Sequence, residues 1–204
     1  MLITGIVTSA GFSTRMGTVK ALLPWRDTNL VCHQVRALLK GGCGHVVIVL
    51  GYECARISEE IQKEFPENSP ITLTCNVDYE TGRASTIRQG ILSSPKDSSG
   101  FLLIGVDQPT SGHIVARIIK EHEATRMPIS SPRYKGKGGH PVLFANTLKD
   151  ELLEINDETL GLKPVFENYR SRLNRIDFKT DQVRLDLNDY ESYLHGYELF
   201  GNKT

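Results

Sequence analysis

Short apolar runs alternate with helical segments along the chain, and this alternation constrains the fold more than any other feature. Strand–helix–strand units of this kind connect parallel strands, so the sequence predicts an α/β protein with a mostly parallel sheet, forming a single domain over residues 1–204. The predicted strands are Leu2–Thr8, His45–Leu50, Ile71–Cys75, Phe101–Ile104 and His140–Phe144. The predicted helices are Leu30–Lys40, Glu53–Phe65, Ala84–Leu92 and Ser111–Ala124.

Charge and composition exclude several functional classes. Lys+Arg and Asp+Glu balance at 24 each, whereas nucleic-acid-binding domains usually carry a basic excess. The N-terminus does not resemble a signal peptide, and no apolar run approaches the roughly 18 residues of a membrane span. The four cysteines show no Cys-x-x-Cys spacing, so we expect them to be reduced and mostly buried in a cytoplasmic protein.

Ligands of parallel α/β sheets bind beyond the carboxyl ends of the strands. The loops that follow Thr8, Cys75 and Ile104 are therefore the candidate binding loops. Residues Pro132–Gly139 combine glycines with basic residues, which indicates an exposed connection.

The loop from Ser9 to Lys20 follows the first strand directly and suits a polyphosphate. Its glycines and small residues let backbone N–H groups approach an anion, while Arg15 and Lys20 add positive charge. Two familiar phosphate loops are excluded: a Walker A sequence would need glycine where Met16 stands, and the dinucleotide fingerprint would need glycine at Ser13.

The spacing of this loop resembles the signature of nucleotidyltransferases, Ala-Gly-x-Ser-x-Arg-Met-Gly-x-x-Lys. The chain agrees at Ala10, Gly11, Ser13, Arg15, Met16, Gly17 and Lys20. The resemblance extends over nearly the whole chain and is strongest to the molybdopterin cytidylyltransferases and guanylyltransferases. It implies a three-layer Rossmann-like nucleotidyltransferase fold, in which Ser9, Ala10, Gly11, Ser13, Thr14, Arg15 and Lys20 bind the nucleotide.

Further segments resemble the parts of this family that bind the base and the metal. Asn76, Gly82 and Ser85 match a segment that contacts the base and ribose in this family. Asp107 stands in Val-Asp-Gln-Pro, where the family has Gly-Asp-Gln-Pro and its Asp ligates Mg²⁺. A carboxylate at a strand end, opposite a phosphate loop, suits a hard cation, so we assign catalysis to Arg15, Lys20 and Asp107.

The acceptor and the remaining metal ligands are assigned from the second half of the chain. Gly138-Gly139-His140-Pro141 resembles the family's Arg-Gly-His-Pro, which implies acceptor binding by Lys135, Lys137 and His140, with glycine replacing the family's arginine. Asp186 and Asn188 resemble the first and third positions of a C-terminal segment. Both residues could orient the metal or the acceptor phosphate, and they complete the expected metal set with Asp107.

The expected reaction is Mg²⁺-dependent transfer of a nucleoside monophosphate, preferably CMP from CTP with GTP as the other option, onto a phosphorylated acceptor. The resemblance makes molybdopterin the first acceptor candidate and a molybdoenzyme or its chaperone the expected recipient of the product; no nucleic-acid or membrane partner is expected. Two alternatives stay open: a sugar-phosphate or methylerythritol-phosphate nucleotidyltransferase, and a non-catalytic nucleotide-binding protein on the same fold.

Overall fold

The computed structural model describes residues 1–12 and 17–202, and within them the predicted alternation of strands and helices is confirmed. The strands are β1 (Ile3–Ser9), β2 (Pro24–Trp25), β3 (Thr28–Asn29), β4 (His45–Leu50), β5 (Ile71–Cys75), β6 (Gly100–Gly105), β7 (Ile129–Tyr134), β8 (Lys137–Gly138), β9 (Val142–Ala145) and β10 (Leu173–Asp177). The α-helices are α1 (Leu30–Lys40), α2 (Cys54–Glu64), α3 (Arg83–Leu92), α4 (Gly112–Thr125), α5 (Lys149–Leu153), α6 (Lys163–Asn168) and α7 (Tyr190–Gly196).

The central sheet is mixed but mostly parallel. Its strand order is β10-β7-β9-β6-β1-β4-β5, with β8 paired to β7 and a separate two-stranded sheet formed by β2 and β3. β5, β4, β1 and β6 are parallel, and β9 runs antiparallel between β6 and β7. The carboxyl ends of β1, β4, β5 and β6 therefore meet at one edge, together with the amino end of β9.

The strands are buried on both faces because helices cover the sheet on each side. Val46, Ile48 and Leu50 of β4 belong to one hydrophobic cluster with α1 and α4, whereas Val47 and Val49 belong to another with α3 and α5. The period of two along a strand produces this division. With helices on both faces of a mostly parallel sheet, the expected three-layer Rossmann-like arrangement is confirmed.

One glycine lets α3 lie close to the sheet. A Cβ atom on Gly90 would come within 2.4 Å of Ile6 Cγ2, so a larger residue would push the helix away from β1. The first residues of α3 lie at the carboxyl edge of the sheet. The distance between α3 and the sheet therefore helps to set where those residues stand.

Residues Pro132–Gly139 differ from the sequence expectation. Pro132 lies inside β7, whose first four residues are buried, and only the turn that follows is exposed. Pro132 lies beyond Ile129 and Ser130, the residues of β7 that pair with β9, and its carbonyl oxygen still accepts from the Gly139 N–H at 2.8 Å. The strand predicted to start at His140 starts at Val142, after a cis peptide bond between His140 and Pro141.

The expectation of four reduced cysteines is wrong for one pair. Cys32 and Cys43 are buried and free, but Cys54 and Cys75 are joined in a disulfide. Cys54 begins α2 just after β4, and Cys75 ends the neighbouring β5, which brings their Cα atoms to 6.2 Å. Within the described ranges no helix is both long and apolar enough to cross a membrane.

Candidate active site

A cavity of about 420 Å³ lies at the carboxyl edge of the sheet. Its walls bring together residues that are far apart in the sequence. From the predicted site residues they include Ser9, Ala10, Gly11, Lys20, Gly82, Asp107, Asp186 and Asn188. Ser13, Thr14 and Arg15 lie outside the described residues, so their assignment to the nucleotide stays a prediction.

Lys20 and Asp107 face each other across this first cavity. The Lys20 Nζ atom lies 3.1 Å from Asp107 Oδ2, and the two side chains are 11% and 30% exposed. Lys20 opens a short 3₁₀ helix after the glycine loop, while Asp107 lies two residues beyond the end of β6. The ion pair thus joins the two loops that were predicted to bind phosphate and metal.

Asp186 adds a second carboxylate beside Asp107. Desolvation and then the negative charge of Asp107 raise the pKa of Asp186, whereas a hydrogen bond with Asn188 lowers it. The N–H of Leu187 donates to the Asp107 carbonyl oxygen at 2.8 Å, which fixes this C-terminal segment against the loop after β6. Asp186 and Asn188 thus line the same cavity as Asp107, and their assignment to the metal stays a prediction.

These carboxylates suit a divalent cation whose remaining ligands come from the substrate. Within residues 1–12 and 17–202 there is no group of three or more His, Cys, Asp or Glu side chains that could hold a metal alone. Mg²⁺ typically takes one or two carboxylates plus substrate phosphates and water. Asp107 and Asp186 fit that pattern.

Gln34 of α1 holds the loop that carries Asp107, and no local sequence pattern indicated this role. Its buried amide donates to the carbonyl oxygens of Gly105 and Gln108, at 2.8 and 3.0 Å. Its side-chain oxygen accepts from the Thr110 N–H at 3.1 Å. One side chain therefore forms hydrogen bonds with three backbone groups of the loop.

Replacing Gln34 by leucine should lower the free energy of unfolding by about 1–3 kcal/mol, because it leaves buried polar groups of this loop unpaired. Urea unfolding measures the loss. Gln89→Leu is the matched control. Gln89 is only partly buried, and its amide donates hydrogen bonds to the side-chain hydroxyls of Thr74 and Ser93 rather than to backbone groups. Equal stability of the Gln34 variant and the wild type would contradict the supporting role.

The Asn76–Ser85 segment is held by its own hydrogen bonds. The amide of buried Asn76 donates to the hydroxyls of Ser85 and Thr86, at 2.9 and 3.2 Å, and its oxygen accepts from the Asp78 N–H. Neither Asn76 nor Ser85 lines the first cavity, whereas Gly82 and Thr86 do. The two polar side chains shape this wall, and their contact with the base stays a prediction.

A cluster of three aromatic residues, two of which line the cavity, was missed by the sequence interpretation. The ring of Phe12 lies 4.7 Å from that of Tyr52 and 5.3 Å from that of Tyr79, and both tyrosines line the cavity. They follow different strands, so no local motif joins them. Each comes shortly after a strand end, and that position was the only available signal.

A second cavity, of about 570 Å³, adjoins the first and includes His140 in its lining. Burial, and then the charge of Arg83, lowers the pKa of His140 to about 4, so its imidazole is neutral near pH 7. The backbone N–H of His140 donates to the Val183 carbonyl at 2.7 Å. Lys135 and Lys137, predicted with His140 to bind the acceptor, line neither this cavity nor the first.

The fold and this cavity, in which Lys20 after the first loop pairs with Asp107 after β6, are those expected of an α/β nucleotidyltransferase. A family model described as "MobA-like NTP transferase domain" matches residues 5–173, and the chain belongs to this family. It is a nucleotidyltransferase by family, as the resemblance implied.

Individual relatives agree with this membership over almost the full chain. Nicotine blue oxidoreductase of Paenarthrobacter nicotinovorans is 32% identical over 197 residues, covering 93% of each chain. Molybdenum cofactor cytidylyltransferase of Escherichia coli (strain K12) is 23% identical over 202 residues, covering 96% of this chain and 95% of its own.

Among solved structures, Rv0371c of Mycobacterium tuberculosis H37Rv has a TM-score of 0.82 and 25% identity, covering 97% of this chain and 98% of its own. The same protein has been solved in complex with manganese, with a TM-score of 0.72, 25% identity and the same coverage. Nucleotidyltransferases of this type generally use divalent metals.

Proposed function

We propose that the chain transfers a nucleoside monophosphate from a nucleoside triphosphate in the first cavity to a phosphorylated acceptor in the second. The observation that carries the proposal is the ion pair between Lys20 Nζ and Asp107 Oδ2, which are 3.1 Å apart. Both residues line a cavity whose wall also includes Ser9, Ala10 and Gly11 of the glycine-containing loop. This arrangement offers backbone N–H groups and a cation to the triphosphate, and carboxylate oxygens to a metal.

In the proposed reaction, an oxygen of the acceptor phosphate attacks the α-phosphorus of the nucleotide. A new phosphorus–oxygen bond forms, the bond from the α-phosphorus to the bridging oxygen breaks, and pyrophosphate leaves with that electron pair. Both reactants are anions, so positioning and charge neutralisation provide most of the catalysis. Lys20 would stabilise negative charge on the triphosphate, and Arg15 is assigned the same task.

Asp107 and Asp186 would hold Mg²⁺, and the hydrogen bond from Asn188 would orient Asp186. Mg²⁺ bound there would neutralise charge on phosphate oxygens. The donor set supports this part of the proposal, because both carboxylates are hard oxygen ligands next to the predicted triphosphate position.

Cytidine and molybdopterin are the preferred substrates within this proposal. Support comes from Ser9-Ala10-Gly11 and Gly139-His140-Pro141, which resemble the cytidylyltransferases of the molybdenum branch, and from the similarity to the cytidylyltransferase of Escherichia coli. The product would then pass, in the cytoplasm, to a molybdoenzyme or its chaperone.

A screen of the four nucleoside triphosphates tests the nucleotide assignment. With Mg²⁺ present, CTP should raise the melting temperature more than ATP, GTP or UTP, because binding to the native state alone stabilises it. Pyrophosphate release with molybdopterin, a sugar phosphate and methylerythritol phosphate then identifies the acceptor. Stabilisation by none of the four nucleotides would contradict the proposal.

One relative favours a second candidate activity. The Paenarthrobacter protein is named an oxidoreductase, and the second cavity here is lined mainly by apolar side chains that would accept an aromatic substrate. A reductase would need a hydride donor, and the glycine loop lacks the dinucleotide fingerprint. Oxidation of NADH or NADPH by an aromatic dye, dependent on the protein and independent of CTP, would favour this candidate.

A further inference from the structure

The two cavities meet at Thr8 and Arg83, the residues that line both. Arg83 is the first residue of α3, and Thr8 lies near the end of β1. The Thr8 hydroxyl donates to the Ile104 carbonyl at 3.3 Å, whereas the exposed Arg83 side chain has no hydrogen bond or ion pair with the described part of the chain. Arg83 therefore brings an available guanidinium to the junction.

The second cavity is lined mainly by apolar side chains, nine of the fifteen that are not glycine, among them Ala84, Ile87, Leu103, Ile104, Val142 and Phe166. The polar and charged minority is Thr8, Arg83, Ser131, His140, Asp157 and Lys163. The apolar part of the wall has no partners for the hydroxyl groups of a sugar, whose burial without hydrogen bonds costs free energy. A flat ring, of a pterin or of an arene, would instead be stabilised by burying its faces against these apolar side chains.

Positive charge at this cavity comes from Arg83 and Lys163. Asp157, the carboxylate in the wall, is already engaged, because its Oδ2 accepts from the Ala84 N–H at 2.8 Å. The charge of Arg83 adds to the lowering of the His140 pKa by burial, and it opposes the rise of the Asp186 pKa, so its field reaches both sides of the junction. An anion at Arg83 would lie between the acceptor cavity and the nucleotide.

We propose that the second cavity binds a phosphomonoester with a flat ring body, and that Arg83 holds the phosphate at the junction of the two cavities. The role of this site as the acceptor site in catalysis rests on the proposed function. It moves the acceptor's charge partner from Lys135 and Lys137 to α3, and it disfavours sugar phosphates as acceptors.

Leu160 gives independent support for an apolar ligand. Its side chain lines the second cavity yet is 65% exposed, and its φ of 66° lies in the left-handed region that leucine rarely adopts. Asparagine tolerates this backbone, so Leu160→Asn removes apolar contact without adding strain. The variant thus probes the ligand's body separately from its phosphate.

Calorimetric titration with phenyl phosphate and inorganic phosphate tests the proposal. Phenyl phosphate should bind about tenfold more tightly than inorganic phosphate, because its ring leaves water. Arg83→Gln should weaken phenyl phosphate binding by about tenfold or more, through loss of a charge-assisted contact, and Arg83→Lys should recover part of it. Leu160→Asn should weaken phenyl phosphate alone, by about threefold.

Two control variants test whether the loss of binding is specific to Arg83. Arg56→Gln makes the same change at an exposed residue that lines neither cavity, and should have no effect. The double variant Lys135→Gln, Lys137→Gln should also bind phenyl phosphate normally. A tenfold loss in that double variant, an unaltered Arg83→Gln, or equal binding of the two phosphates would each overturn the proposal.

The titration is independent of activity. If pyrophosphate release fails with every nucleotide and acceptor while the expected binding pattern holds, the proposed function is wrong and the phosphomonoester site stands. If turnover is found but Arg83→Gln changes neither phenyl phosphate affinity nor the acceptor's KM, the site assignment is wrong and the proposed function stands.

Discussion

Replacing Lys20 by alanine is expected to lower kcat by about a hundredfold to a thousandfold, the usual loss when one charge contact to a transition state is removed from a water-poor site. The side chain is 11% exposed and points at Asp107 across the first cavity, where the triphosphate is proposed to bind. Initial rates of pyrophosphate release at saturating substrates measure the effect.

The Lys20 side chain also contributes to stability, because it is mostly buried and paired with the carboxylate of Asp107. Its removal should still cost only about 1 kcal/mol of stability, because Asp107 keeps partial contact with water. Urea unfolding of the variant checks that the protein stays folded.

Lys120→Ala is the matched control for Lys20→Ala. Lys120 is an exposed residue of α4 that lines neither cavity, so the same truncation should leave kcat near the wild-type value. A Lys20 variant that is folded and turns over at the wild-type rate would remove the main support for nucleotidyl transfer at this site.

Local periodicity explains why much of the fold was predictable. The bounds of α1, β4 and β5 match the sequence prediction, because each is an uninterrupted apolar or amphipathic run that ends at a glycine or a chain reversal. The hairpin of β2 and β3 was not predicted, since two-residue strands carry no periodic signal. β10 pairs with β7 across a long stretch of chain, and no local pattern specifies that partner.

Lys20 and Asp107 could be proposed for the site because the resemblance to the nucleotidyltransferase signature marks them and both lie in loops after parallel strands. Such loops meet at the carboxyl edge of the sheet. Arg83 and Gln34 were missed because their roles depend on the distance between a helix and a loop elsewhere in the chain. Cys54 and Cys75 were misjudged for the same reason: their spacing says nothing about the adjacency of β4 and β5.

Asp107→Asn is expected to lower kcat by about a hundredfold at fixed Mg²⁺ and to raise the Mg²⁺ concentration for half-maximal rate by about tenfold or more. An amide keeps the size of the side chain but loses the negative charge that would attract the cation. Affinity for CTP without metal should stay the same or increase, because a negative charge beside the triphosphate is removed. Asp97→Asn, at an exposed position outside both cavities, is the control.

Helix capping is the alternative role for Asp107, and in that role asparagine would serve about as well. The position of α4 contradicts a capping role for Asp107, because Ser111 is the N-cap residue of that helix.

A second measurement distinguishes capping from metal binding without an activity assay. The charge of Asp107 raises the pKa of Asp186, so Asp107→Asn should lower that pKa in an NMR titration. An unchanged Mg²⁺ activation curve together with an unchanged Asp186 pKa would mean that the two carboxylates do not share a site, and the metal assignment would be wrong.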